Sequence, residues 1–253
     1  MRSVYYRRPT QFALEEGMSG PERRFAYGEA RFGFGGVLQA LDCLWLNPAV
    51  ATAAAEYKPR QLAAARQCGL RIPRTVITND PEYAYAWASD LGRPFVYKPL
   101  SGVWHPEAGE IRILYTARLT DPAVVRDPAL TRTAHMFQEW VDKRHEARSV
   151  VVGDQVYTVA IHARSNEGLV DWRADYDSHT YEPIELPADV RDGLVRLHRN
   201  LGLVYGACDL VATPDGGWVF LETNANGEWE WLEGEGGAPI TGAIADVLQK
   251  GQA

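Results

Sequence analysis

A short turn between two apolar runs near the end of the chain sets the strongest limit on its fold. The sequence Pro-Asp-Gly-Gly at 214–217 separates these runs, and such turn residues between apolar segments predict a β-hairpin. If the loop is centred between the Asp and the first Gly of this turn, Asp209 lies directly opposite Glu222. The two-residue period of a strand then places Asn224 on the same face as Glu222.

Two opposed carboxylates in an apolar hairpin repel each other, and a divalent cation removes that repulsion. Asp, Glu and Asn oxygens are the ligands that Mg²⁺ prefers. The spacing therefore predicts a magnesium site at Asp209, Glu222 and Asn224. In the alternative interpretation both carboxylates face solvent and the hairpin is only a scaffold. The apolar and small residues that flank them favour the metal site.

Length and charge limit the kind of protein. The chain has 253 residues, enough for one large domain or for two to three small ones. Its net charge of −7 disfavours a nucleic-acid partner. No apolar run is long enough to cross a bilayer, and the start lacks a secretion signal. Three cysteines without metal-type spacing predict no disulfide framework. We therefore expect a cytoplasmic protein without a membrane or nucleic-acid partner.

The pattern of helices and strands predicts two mixed α/β units behind an incomplete first segment. Turn and capping signals divide the chain into parts at 1–55, 56–135 and 136–253. The predicted elements are a helix from Glu22 to Leu41, a helix opened by Lys58-Pro59, a helix at 81–91, strands at 74–78, 94–98, 111–115, 136–141, 148–152 and 155–162, and helices at 188–200 and 239–249.

Two lysines in the smaller unit indicate an anion site. Lys98 ends an apolar strand, where a lysine is unusual unless it meets an anion. Lys58 begins a helix, whose first N–H groups also favour an anion. Such a pair suits a polyphosphate, although each lysine alone is also typical of a protein surface. The backbone of 138–141 can read adenine, and Glu146 can accept from ribose hydroxyls. No Walker A motif and no G-x-G-x-x-G motif is present, so a nucleotide needs another architecture.

In this order the residues resemble those of the ATP-grasp ligases over roughly 56–250. More narrowly, the chain is similar to the ATP-grasp ribosomal peptide maturases, the graspetide synthetases. The ATP-grasp resemblance depends on Lys58, Lys98, Gln138 to Val141, Glu146-Ala147-Arg148, Asp171-Trp172-Arg173, Asp209 and Glu222-Thr223-Asn224. The narrower one depends on Ser3 to Pro9, Trp45 to Pro48, Tyr57 to Leu62 and Glu222 to Trp229.

The resemblance implies an ATP-grasp fold of α+β and α/β character, with two α+β subdomains that clasp ATP. A partial N-terminal pre-ATP-grasp domain would precede them. It also implies two Mg²⁺ ions at Asp209, Glu222 and Asn224. The ATP contacts that it implies are Lys58, Lys98, Gln138, Glu139, Trp140, Val141, Glu146 and Leu210.

The implied reaction activates Asp or Glu side chains of a ribosomally made precursor peptide as acyl phosphates. These are then linked to Thr or Ser hydroxyls or to Lys amines. The peptide would consist of a leader and a core rich in Thr and in Asp or Glu. Asp171 and Arg173 would orient the carboxylate, and His179 is either a base toward the incoming nucleophile or an exposed loop residue. Relatives of this kind also imply a homodimer.

Two other functions stay open at this point. The chain could be an ATP-grasp ligase for free amino acids, or a silent module that binds a nucleotide or a peptide without turnover. Relatives have more chain before Ser3, so we expect a shortened N-terminus, which favours the silent module. The predicted phosphate-covering loop, 101–110, has only Gly102 and Gly109, fewer glycines than many such loops. The full set of expected ligands favours an active enzyme.

Overall fold

The computed structural model describes residues 1–7, 9–101, 104–107, 110–113, 116–172 and 179–251. Arg173, Gly102 and Gly109, which the sequence analysis singled out, lie outside these residues. The strands are β1 Ser3–Tyr5, β2 Leu44–Leu46, β3 Thr75–Thr78, β4 Phe95–Lys98, β5 Trp104–Glu107, β6 Glu110–Ile113, β7 Ala117–Leu119, β8 His135–Glu139, β9 His145–Val152, β10 Gln155–His162, β11 Thr180–Ile184, β12 Tyr205–Ala212 and β13 Trp218–Asn224. The helices are α1 Gly20–Gln39, α2 Ala49–Ala55, α3 Lys58–Gln67, α4 Pro81–Leu91, α5 Asn166–Val170, α6 Ala188–Leu201, α7 Glu230–Gly236 and α8 Ile240–Lys250, with 3-10 turns at Pro122–Arg126 and Pro128–Arg132.

The smaller sheet is antiparallel, with the strand order β3-β8-β4-β7. Helix α4 packs on this sheet in a shared apolar core. Asp80 caps the first N–H groups of the helix, and Gly92, at φ 62°, ends it in the left-handed conformation. The strand predicted at 136–141 belongs to the predicted part 136–253. The structure ends this strand at Glu139 and pairs it with β3 and β4. The division of the chain into domains stays a prediction.

The larger sheet is also antiparallel, in the order β11-β10-β9-β12-β13. The predicted hairpin across Gly153-Asp154 is present, with Gln155 opposite Val152. One face of the sheet packs against α3 and α6, around Leu194, Leu210 and Phe220. The other face packs against α7 and α8 along only part of its length. Its remaining part is the floor of the site.

The strand predicted at 111–115 lies at Glu110–Ile113 and pairs with β5 as a separate two-stranded sheet. The neighbouring positions 114–115 fall outside the described residues. The helix predicted at 188–200 is α6, which runs from Ala188 to Leu201.

The N-terminal segment joins the larger sheet through one buried asparagine. Asn47 donates to the carbonyl oxygens of Tyr205 and Ala225, at 2.8 and 3.0 Å. Its side-chain oxygen accepts from the N–H groups of Val204 and Tyr205, at 2.8 Å each. Asn47 therefore fixes the start of β12 to the segment after β13, on either side of the predicted metal hairpin.

The predicted helix 22–41 is α1, which begins earlier because Ser19 and Glu22 form a capping box. Along its 20 residues none is buried, and Phe25 and Phe32 are strongly exposed. Across the described ranges, none of the helices is both long and apolar enough to cross a membrane.

Candidate active site

The hairpin of β12 and β13 brings Asp209 directly opposite Glu222, as the spacing predicted. The predicted loop centre is wrong, however. Ala212 pairs with Trp218, and the tip closes through a hydrogen bond from the Thr213 N–H to the Gly217 carbonyl, 2.9 Å long. The register then shifts between Leu210 and Asp209. A β-bulge, with one extra residue in β13, restores the predicted pairing.

The bulge and the strand alternation decide which side chains face the site. Asp209 and Val211 line a cleft, together with Glu222 and Leu221. Leu210 lies on the other face, is 1% exposed and packs in the core against α3 and α6. The side chain of Leu210 therefore lies outside the cleft, whereas that of its neighbour Val211 lines it, and the implied nucleotide contact of Leu210 stays a prediction. The two-residue strand period, applied to Asp209, excludes Leu210 from that face.

Asp209 is paired with Arg148, its cross-strand neighbour on β9. The Arg148 Nη1 atom donates to Asp209 Oδ1 at 2.7 Å, and both side chains are buried. Burial lowers the pKa of the Arg148 guanidinium, but the ion pair with Asp209 more than offsets this, so that the pKa is raised. Arg148 therefore stays charged beneath the site.

Glu222 is paired with Lys58, the first residue of α3. Gln61, one turn further along, fixes this helix to the strand. Its amide group donates to the Thr223 carbonyl at 2.9 Å and accepts from the Thr223 N–H at 2.8 Å. The helix start therefore lies beside the carboxylate, which explains why a lysine there meets Glu222.

The cleft opens between the two sheets and, with the open solvent at its mouth included, spans about 550 Å³. It brings together most of the residues that the sequence analysis selected. Those that line it are Lys98, Gln138, Glu139, Trp140, Val141, Glu146, Asp171, Asp209 and Glu222. A cleft with apolar walls and a few converging polar groups is typical of a ligand site.

The segment 138–141 forms one wall, and two of its backbone N–H groups already donate hydrogen bonds within the protein. The N–H of Glu139 donates to the Arg74 carbonyl, and that of Trp140 to the Pro94 carbonyl, each at 2.9 Å. Within the ranges described above, no backbone acceptor is found for the N–H of Val141. This N–H is suited to a flat heterocycle such as adenine. Gln138 is buried and donates to Thr75 Oγ1 at 3.0 Å.

Glu146 faces the same cleft from β9. It is 8% exposed and forms an ion pair with Lys143. Burial raises the pKa of its carboxyl group, and the charge of Lys143 opposes that shift. Lys143 and Arg118 also flank the Trp140 ring, 5.1 and 5.0 Å from its centroid. An ionised carboxylate accepts hydrogen bonds and can bind the hydroxyl groups of a sugar.

Asp171 is buried at the cleft wall and accepts from the Thr116 N–H at 3.3 Å. His179 does not line the cleft. It is buried, and its Nε2 lies 2.7 Å from the Trp172 carbonyl. His179 is therefore not an exposed loop residue, and its role as a base stays a prediction. Its contact supports Trp172, which does line the cleft.

The donor set at the hairpin suits a hard divalent cation. Asp209 and Glu222 supply two opposed carboxylates, and only oxygen ligands are involved. Asn224 lies opposite Ala207 on β12, but it is exposed, does not line the cleft and accepts from the Asn226 N–H at 2.9 Å. The carboxylates therefore fit the predicted Mg²⁺, whereas Asn224 would have to give up this local hydrogen bond.

Sequence reasoning missed several residues of the cleft. Val211 could have been found from the strand period, and Lys143 from its three-residue spacing to Glu146. Leu221 gave no signal, because it lies at the bulge. Arg148 was part of the motif but received no role.

Comparisons with known proteins agree with this geometry. Residues 55–248 match the model of the RimK-like ATP-grasp domain. Macrocyclase MdnC bound with precursor peptide MdnA, from Microcystis aeruginosa MRC, has a TM-score of 0.84 and 33% identity, over 98% of this chain and 78% of that one. An ATP-grasp ligase associated with ribosomal peptides, from Chryseobacterium gregarium, in complex with ADP and a leader and core peptide, has a TM-score of 0.89 and 29% identity, over 98% and 76%.

A curated relative is the alpha-aminoadipate–LysW ligase LysX of Sulfurisphaera tokodaii, 22% identical over 77% of this chain and 67% of its own length. The chain thus spans about two thirds of the length of that relative. The predicted ATP-grasp fold and the resemblance to peptide-modifying ATP-grasp ligases are confirmed. The chain therefore belongs to the family of RimK-like ATP-grasp domains.

Proposed function

We propose that this chain uses ATP and Mg²⁺ to activate a side-chain carboxylate of a ribosomally made precursor peptide. The activated carboxylate is then joined to a hydroxyl or an amine of the same peptide. The observation that carries the proposal is the opposed pair of Asp209 and Glu222, which lies in one cleft with the 138–141 wall. The 138–141 wall suits the nucleobase, and the carboxylate pair suits the metal ion. Together they suit a nucleoside triphosphate.

Val141, Val211 and Leu221 would hold the adenine. Glu146 would accept hydrogen bonds from the ribose. Lys58 and Lys98 would hold the phosphates. Asp209, Glu222 and Asn224 would bind Mg²⁺, and we propose two ions. When bound, the metal neutralises the charge that develops on the transferred phosphoryl group.

Asp171 and Arg173 would orient the substrate carboxylate as it attacks the terminal phosphoryl group. The product of this step is an acyl phosphate, and ADP leaves. The hydroxyl or amine then attacks the carbonyl carbon and releases phosphate, which leaves an ester or an amide. The buried ion pair of Arg148 with Asp209 holds the Asp209 carboxylate in place at this site.

The precursor peptide as substrate is supported by the two solved structures, whose descriptions name bound peptides. We propose a leader segment that binds to this protein and a core rich in Thr and in Asp or Glu. A homodimer is part of the same proposal. The expected test is incubation of a candidate precursor with the protein, ATP and Mg²⁺, followed by mass spectrometry.

Each link formed removes one water from the peptide and releases one ADP and one phosphate. Equal numbers of lost waters and released ADP molecules are the expected result. The matched control is Glu222→Gln, which keeps the size of the side chain and removes its charge. A peptide that stays at its original mass while ATP is consumed would overturn the proposal.

A second candidate is a ligase that adds an amino acid to an acceptor. The curated relative supports it, because that protein is named as a ligase of alpha-aminoadipate and LysW. The same mass measurement separates the two functions. An amino-acid ligase increases the mass of the acceptor by one residue for each turnover, whereas intramolecular linkage decreases it by one water.

A further inference from the structure

Each of the two opposed carboxylates is already paired with a cation of the chain itself. Asp209 pairs with Arg148, and Glu222 pairs with Lys58. The two pairs differ in exposure. The side chains of Arg148 and Asp209 are 7% and 10% exposed, whereas those of Lys58 and Glu222 are 21% and 18% exposed. The pair of Arg148 and Asp209 is buried, whereas the pair of Lys58 and Glu222 is partly exposed to solvent.

We propose that Lys58 is an exchangeable counter-ion that keeps a divalent cation from binding until a nucleotide arrives, and that Arg148 is a permanent one. The proposal rests on the proposed function, because it concerns the same metal site. It makes metal binding and nucleotide binding dependent on each other. A lone Mg²⁺ or Mn²⁺ would bind weakly, and a triphosphate would open the site to it.

The reason is the local charge. Within these two pairs each carboxylate charge is already balanced by a cation of the chain, so that a lone divalent cation is attracted less than it would be by two unpaired carboxylates. It must also displace the ammonium group from Glu222. A triphosphate offers Lys58 several negative oxygens in exchange. Glu222 then becomes a ligand for the metal.

The fold allows this exchange without movement of the backbone. Gln61 holds α3 against Thr223, next to Glu222, through two hydrogen bonds. Lys58 begins the same helix, and its four-carbon stem can turn the ammonium group from one anion to another. The helix can therefore stay in place while the side chain changes its partner.

Arg148 has no comparable freedom. It lies across from Asp209 in the middle of the sheet, and its Nη2 atom packs closely over Gly227. A Cβ atom at residue 227 would lie only 2.6 Å from that nitrogen. Arg148 binds Asp209 through Oδ1 alone, and among the described residues no partner is found for the other oxygen of Asp209. That oxygen is suited to a metal while the ion pair is kept.

The test is the binding of Mn²⁺ alone to the nucleotide-free protein, measured by titration calorimetry and by electron paramagnetic resonance. We expect Lys58→Met to bind Mn²⁺ about tenfold more tightly than the original chain, since one partly screened positive charge is removed. Lys58→Arg keeps the charge and should bind as weakly as the original chain. If Lys58→Met does not fold, Lys58→Gln is the second neutral variant.

The matched control is Arg60→Met, an exposed charge on the same helix. It should leave the affinity for Mn²⁺ unchanged. Equal affinity of Lys58→Met and the original chain, or an equal gain in Arg60→Met, would overturn the proposal. The melting temperature of the original chain with a non-hydrolysable ATP analogue tests the proposed function separately. If the analogue stabilises the original chain but the Lys58 variants behave as described for the negative result, the counter-ion exchange is wrong and the proposed function stands.

Discussion

At the scale of single residues, the two carboxylates of the site lie in different surroundings and should respond differently to neutral substitutions. Asp209→Asn leaves the buried guanidinium of Arg148 without its counter-charge, which costs about 3 kcal/mol of unfolding free energy. Glu222→Gln breaks a partly exposed pair with Lys58 and should cost less than about 1 kcal/mol. Denaturant unfolding of both variants measures this difference.

Both variants should lose turnover, because each removes a metal carboxylate. The buried pair with Arg148 adds a loss of stability to the loss of turnover in Asp209→Asn. Equal losses of stability in the two variants would contradict the different roles assigned to the two ion pairs.

His198 on α6 is a second residue with a measurable effect, here on the dependence of stability on pH. Its Nδ1–H donates to the Leu194 carbonyl at 2.8 Å, and its Nε2 lies 3.2 Å from Thr223 Oγ1. Burial lowers the pKa of this imidazole from 6.5 to about 4. The unfolded chain therefore binds more protons than the folded one between these two values.

The contribution of neutral His198 to the unfolding free energy should thus be fully present above pH 6.5. It should be lost as the pH is lowered toward 4. The expected loss from this group is about 3 kcal/mol. Denaturant unfolding across this range measures the slope, and His198→Gln should reduce it. An unchanged slope in the variant would show that another group is responsible.

At the scale of elements, the segment after β13 approaches the site closely because residue 227 is a glycine. A Cβ atom at residue 227 would lie 2.6 Å from both Arg148 Nη2 and Ala207 Cβ. Gly227→Ala should therefore destabilise the fold by about 1–3 kcal/mol through overpacking. It should also slow turnover, because Arg148 must move. Thermal unfolding and ADP release measure the two effects.

The matched control is Gly234→Ala on α7, where an added Cβ atom meets nothing within 4 Å. It should be neutral or stabilising by about 0.5–1 kcal/mol, the usual gain of alanine over glycine in a helix. If Gly227→Ala behaved like this control, the close packing around Arg148 would be wrong.

The hairpin shows how far the sequence predicts an element. Turn residues and strand period were enough to place Asp209 opposite Glu222, although the loop centre was wrong. The bulge near Leu221 shifts the register by one residue and so restores the predicted pairing. A bulge depends on how the strand packs against its neighbours, and no residue in the segment predicts it. The strand period did exclude Leu210 from the cleft, but the resemblance had included it.

At the scale of the whole molecule, the order of the motifs predicted the fold, while the local state of each charged group did not follow from it. The sequence indicated that Lys58 and Glu222 belong to one site, but not that they pair with each other. Such a pairing depends on the approach of α3 to β13, which Gln61 and Thr223 fix. Likewise, nothing in the sequence of α1 predicted that its 20 residues would all stay unburied.

The binding of a nucleotide with metal tests the central claim most directly. We would measure the melting temperature with a non-hydrolysable ATP analogue, with and without Mg²⁺, for the original chain and for Glu222→Gln. At a hundredfold excess over Kd, binding stabilises the fold by about 2.7 kcal/mol. For a chain of this size that raises the melting temperature by roughly 5–10 °C.

We expect this rise for the original chain only with Mg²⁺ present, and a much smaller one for Glu222→Gln. An equal rise in both proteins would contradict the metal site at Glu222. No rise in the original chain, with cooperative unfolding, would contradict the assignment of the cleft to ATP.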